Sequence, residues 1–204
     1  MVLLAASTPL YSQIFGILAG FVAVVGFFPY FRSIFRGETK PQRASFAIWS
    51  VVSVISLSSY IASGARATIW VGVAFTILQI VVFILSFKYG MGGFHPLDIT
   101  CFVGAAISIG LWVLTENPLI ALYLSIFIEV LGFIPTVKKT YRYPKTENLM
   151  SWTIGVAAAF INLFAITEFS LEVYSYPLYI FMADITMVVV IFMRRTRNKK
   201  LNPL

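Results

Sequence analysis

The chain has 204 residues, 59% of them hydrophobic and only 11% charged, with a formal net charge of +7 and a mean hydropathy of +0.89. Soluble domains carry roughly a quarter charged residues, so this composition excludes a water-facing globule and indicates a polytopic membrane protein. The bases flank apolar runs, which makes the positive charge a topology signal and not a nucleic-acid footprint. The lone Cys101 excludes an internal disulfide and argues against a cysteine metal site.

A membrane-spanning helix needs about 20 mostly apolar residues, and seven such runs follow one another. The stretch before the first has no Lys or Arg, so it lacks the basic region of a signal peptide, and span 1 (11–34) is expected to be retained. Span 1 carries Gly16 and Gly20 on a small-residue face suited to helix packing or self-association, then Gly26 and Pro29. Arg32, Arg36, Lys40 and Arg43 follow. Span 2 (45–64) starts at Ser45, a good helix cap, with Trp49 one turn inside. Span 3 (67–88) carries Gln79 and ends at Lys88. His95, the only histidine, stands in the next loop. Span 4 (97–115) ends in a tight turn at Glu116-Asn117-Pro118. Span 5 (117–138) carries Glu129, Gly132 and Pro135, followed by Lys138, Lys139, Arg142 and Lys145. Asn148 caps span 6 (149–167), which holds Trp152 and Asn162. Span 7 (175–194) holds Asp184, and a basic cytoplasmic tail occupies 195–204.

Across seven spans nearly every base falls on one side. Only Arg66 falls on the other, with Glu116, Glu168 and Glu172. The positive-inside rule makes the basic side cytoplasmic, which places the N-terminus outside and the C-terminus inside.

Two stretches repeat. "GFFPYFRSIFRGETKPQRASFAIW" and "GFIPTVKKTYRYPKTENLMSW" pair Gly26-Phe27 with Gly132-Phe133, Pro29 with Pro135, Pro41 with Pro144, Ser45 with Asn148 and Trp49 with Trp152. Gln79 stands opposite Asp184 in a weaker match of spans 3 and 7. The expected fold is therefore all-α: a first three-helix repeat (11–88), a linker helix (97–115) and a second three-helix repeat (117–194). The odd linker makes the repeats parallel.

With "PYFRSIFR" and "PTVKKTYR" standing where a Pro-Gln pair recurs in that superfamily, the chain resembles the SWEET and PQ-loop proteins over nearly its whole length. It keeps the Pro of each pair and replaces Gln by Tyr30 and Thr136; the literal Pro41-Gln42 reads as coincidental. Spans 2 and 6 lack the Pro that SWEETs carry there. The chain also resembles bacterial proteins with a Pro-Thr…Lys…Pro…Glu…Trp pattern, which implies a remote branch and a bacterial inner membrane. The resemblance implies alternating-access transport of a small solute, or, as in some relatives, a receptor or trafficking role.

Pro29 and Pro135 remove a backbone donor at matched depth, and with Gly26 and Gly132 they form either a gating hinge or a static kink. Glu129 and Asp184 fall in mid-span, where a charge is expensive, and no Lys, Arg or His lies at that depth. They serve either a proton or cation relay and substrate anchoring, or neutral ties between helices. Gln79 and Asn162, with Ser59 as the counterpart of Asn162, complete a candidate midplane solute site. Trp49 and Trp152 either stack on substrate or anchor the membrane boundary; Trp70 and Trp112 read as belt residues. The basic loops suit anionic headgroups. No phosphate loop, metal spacing or nucleophile–base pair is present, so the expectation is no enzyme and no cofactor. The partners are a small-molecule solute and the bilayer, with proton coupling and homo-oligomerisation left open.

Overall fold

The computed structural model describes residues 9–62, 69–93, 95–115, 118–167 and 170–201. The turns at Gly64-Ala65-Arg66 and Glu116-Asn117, and Glu168, lie outside the described residues. So do the side chains of Ser59, Trp70, Trp112 and Glu172. Seven α-helices and no strand occur among the described residues: α1 (Leu10–Phe35), α2 (Arg43–Ala62), α3 (Ile69–Tyr89), α4 (Pro96–Leu114), α5 (Pro118–Arg142), α6 (Leu149–Leu163) and α7 (Leu171–Leu201), with a 3-10 turn at Pro144–Thr146.

Most boundaries fall within a few residues of the apolar runs, and three depart for local reasons. The backbone N–H of Phe46 donates to Gln42 O, so α2 starts at Arg43 and Ser45 sits in its first turn instead of capping it. The Ser45 hydroxyl accepts from Thr136 Oγ1 at 2.8 Å. Helix α6 closes early, as Phe164 caps it through the carbonyls of Ile161 and Asn162. This places Asn162 in the last turn, not at mid-helix. Helix α7 continues to Leu201, so the basic residues from 195 onward extend a helix and do not form a loose tail.

Asn148 does cap α6. Its Oδ1 accepts from Ser151 N at 2.9 Å, while its Nδ2 donates to Pro29 O at 3.3 Å, joining the cap to the proline turn of α1. Asn148→Ala is expected to cost about 1 kcal/mol, and Asn148→Asp to restore the cap share of it, as read by thermal unfolding.

The helices pack in a pattern that occurs twice. Helix α3 lies against both α1 and α2, whose backbones stay apart and which meet through side chains such as Tyr30 and Phe46. Helix α7 lies in the same way against α5 and α6. The two sets meet where α1 crosses α6 and α2 crosses α5, and α4 packs mainly on α5. Matched glycines sit at the two crossings. A Cβ at Gly26 would stand 3.2 Å from Ile154 Cγ2, and one at Gly132 only 2.8 Å from Trp49 Nε1. Small residues let helix backbones approach this closely.

Buried apolar clusters form around Ile48, Val52, Cys101, Ala105 and Ile128, and around Tyr30, Ile34, Phe46 and Val82. Every helix also turns large apolar side chains outward, among them Phe21, Val54, Ile84, Val113, Phe127, Phe160 and Phe192. Two helical segments, Leu10–Phe35 and Tyr174–Arg197, are long and apolar enough to cross a bilayer.

Candidate functional site

A cavity of about 490 Å³ lies between the two helix sets. Composition explains the space. The inner face of α1 is Gly16, Ala19, Gly20, Ala23 and Gly26, at helical spacing, and α6 offers Gly155, Ala158 and Ala159. The small side chains leave a gap that the facing aromatic residues border without filling. Gly16 and Gly20 therefore line the cavity, where helix packing or self-association was expected.

All six residues expected to bind solute line this one cavity: Gln79 from α3, Trp49 from α2, Glu129 from α5, Trp152 and Asn162 from α6 and Asp184 from α7. Asp184 lies over Gly155, where an added Cβ would meet its Oδ2 at 2.8 Å. Glycine at 155 is what makes room for that carboxyl. The side-chain amide oxygen of Gln79 is buried with no hydrogen-bond partner among the described residues. Among the described residues the lining contains no Lys, Arg or His, and the ion pair found among them joins Lys139 to Glu147, away from both cavity acids.

The indole N–H groups of both tryptophans are engaged within the protein. Trp49 Nε1 donates to Glu129 O at 3.4 Å and Trp152 Nε1 to Glu147 Oε2 at 2.9 Å. Of the four residues expected to gate, Gly26 lines the cavity and Gly132 backs Trp49. Pro29 and Pro135 lie outside the lining, and each denies its helix one backbone bond. Pro135 is fully buried. A further intrahelical proline, Pro177, lines the cavity and was not singled out in the sequence.

Nor was the cluster beside Trp152 singled out. Glu147 is 1% exposed and Lys139 is 7% exposed. The Lys139 ammonium meets Glu147 Oε1 and also donates to Lys40 O at 2.6 Å. Arg195, from the end of α7, donates to Glu147 O at 2.5 Å and to Pro144 O at 3.0 Å. The loops after α1 and α5 join through Lys40 N and Thr146 O at 2.9 Å. These groups stand at the end of the bundle where the bases collect. The signal for them was the Pro-Thr…Lys…Pro…Glu…Trp pattern, whose Lys, Glu and Trp turn out to be one hydrogen-bonded chain.

Pro41-Gln42 has a structural role. Met91 N donates to Pro41 O at 2.8 Å, and Gln42 Nε2 donates to the buried Asp98 at 3.2 Å. Arg43 holds Ser86 O and Gly92 O at 3.1 and 3.2 Å. Together these contacts pin the start of α2 to the connection between α3 and α4. His95 is exposed at the start of α4.

Against known protein families, curated proteins and solved structures the chain has no match.

Proposed function

We propose that the chain is a membrane transporter of a small polar solute. It would work by alternating access around the cavity between two parallel three-helix units of the SWEET and PQ-loop kind. The observation that carries this reading is the convergence of Gln79, Glu129, Asn162 and Asp184 on one cavity between the helix sets. Transporter sites lie in such a place, between repeats. Support also comes from the packing pattern, in which α3 packs on α1 and α2 as α7 packs on α5 and α6, with α4 laid on the outside of α5. The apolar side chains turned outward on every helix suit lipid. In this reading the basic end is cytoplasmic, the N-terminus is outside and the membrane is the bacterial inner membrane. Pro29 and Pro135, with Gly26 and Gly132, are the hinges on which one unit rocks against the other. No chemical reaction is assigned.

The test is uptake into proteoliposomes over a panel of small solutes, with and without a pH gradient. Saturable flux of at least one solute is expected, falling at least tenfold in Asp184→Ala. If Asp184→Asn retains flux, Asp184 serves as a hydrogen-bond site. If both variants lose flux at normal expression, the site needs the carboxylate itself, and dependence of flux on the pH gradient separates proton coupling from pairing with a cationic solute. Specific binding without flux of any solute would replace transport by the receptor reading.

A further inference from the structure

Glu129 and Asp184 place two carboxyl groups in the cavity wall, and among the described residues no basic side chain lines it. In an apolar enclosure a carboxylate without a cationic partner is costly. A cation entering the cavity lowers that cost, while an anion raises it. The polar groups left for a ligand include donors as well as acceptors, since the side-chain amides of Gln79 and Asn162 and the hydroxyls of Tyr176 and Tyr179 line the wall beside the two carboxyls. Both indole N–H groups are already engaged, by Glu129 O and Glu147, and the Ser151 hydroxyl is engaged by Asn148. The buried Gln79 Oε1, by contrast, is an acceptor with no donor.

The remaining surface is largely aromatic, with Trp49 and Trp152 contributed by opposite helix sets. Aromatic faces attract cations and suit a flat apolar body. The volume of about 490 Å³ falls in the range of small-molecule pockets, roughly 300–1,000 Å³.

We infer that the cavity takes a small organic ammonium ion with a ring or compact apolar body. Its charge is met by Asp184 and Glu129, its N–H groups are directed at Gln79 Oε1, and its apolar part lies against Trp49 and Trp152. This names the solute class for the transport reading and rests on that reading only for the claim that the ligand is moved.

The test is calorimetric titration of the full chain in nanodiscs, with empty nanodiscs as the partition control. The probes are phenethylammonium, 2-phenylethanol and 3-phenylpropionate, which share a ring and differ in charge. Phenethylammonium is expected to bind at least tenfold more tightly than the alcohol, and the carboxylate not to bind measurably. Asp184→Asn and Glu129→Gln are each expected to weaken ammonium binding about tenfold while leaving the alcohol unchanged, an outcome that misfolding would not produce. Equal binding of ammonium and alcohol, tighter carboxylate binding, silence of all three probes, or full charge preference in both variants would each overturn the inference. Ammonium binding without flux of the same probe would sink the transport reading and leave this inference standing. Glucose flux without ammonium preference would do the reverse.

Discussion

Glu147→Gln is expected to lower the thermal midpoint of the protein by on the order of 10 °C, although the change removes only a charge. Glu147 and Lys139 are both buried and joined as an ion pair. Removing one partner of such a pair leaves the other charge uncompensated, at a cost of about 3 kcal/mol or more. In a chain of this length, each kcal/mol corresponds to roughly 2–4 °C. Glu147 does more than neutralise Lys139. Its second oxygen holds the Trp152 indole, and its backbone carbonyl takes Arg195 from α7. Glutamine can still accept from Trp152, so the variant isolates the charge. The decisive comparison is the double variant Lys139→Met with Glu147→Gln. It removes both charges and is expected to regain most of the lost stability, because a neutral pair of similar volume replaces a buried ion pair at little cost. Thermal unfolding of the purified protein in detergent reads both values. A single variant within about 2 °C of the natural chain, or a double variant no better than the single, would show that the pair does not hold the α5–α6 connection.

The helices were largely legible in the sequence because each apolar run is long and bounded by bases, Pro or capping residues. The repeated Gly-Phe-x-Pro phrase also marked the places where α1 and α5 carry their matched glycines and intrahelical prolines. The polar cavity residues were legible for a different reason: in a chain with so few charges, Glu129 and Asp184 stand out inside apolar runs. The loops were not legible. Glu147 and Gln42 look like ordinary loop polar groups until the 3-10 turn at Pro144–Thr146 and the contact of Pro41 with Met91 bury them. Their burial depends on partners distant in sequence, which local pattern does not encode. Ser45 and Asn162 were misplaced because apolar composition does not register where backbone bonding begins or stops. The aromatic lining, including Phe27, Phe46 and Phe133, was hidden among the 19 phenylalanines of the chain, and its common direction appears only once the helices pack.

Gly155→Ala is expected to reduce solute flux at least tenfold while moving the thermal midpoint by no more than a few degrees. The added Cβ would meet Asp184 Oδ2 at 2.8 Å and Cγ at 3.3 Å, so the carboxyl must leave its place. Two stability effects oppose each other: alanine gains about 1 kcal/mol over glycine in a helix, and crowding costs about 1–3 kcal/mol. The net effect on folding is small, and the displacement falls on the group to which solute recognition is assigned. Gly16→Ala is the control. It lies on the same cavity wall, but its added Cβ finds nothing nearer than Ala165 Cβ at 4.0 Å, and flux within about twofold of the natural chain is expected. If Gly155→Ala acts through Asp184, adding it to Asp184→Asn should cost little more flux than Asp184→Asn alone, since changes at contacting residues are not additive. Full additivity in that cycle would mean that Gly155 matters for the crossing of α6 and not for the carboxyl it faces, and the assignment of Asp184 to the solute would then lose its structural basis.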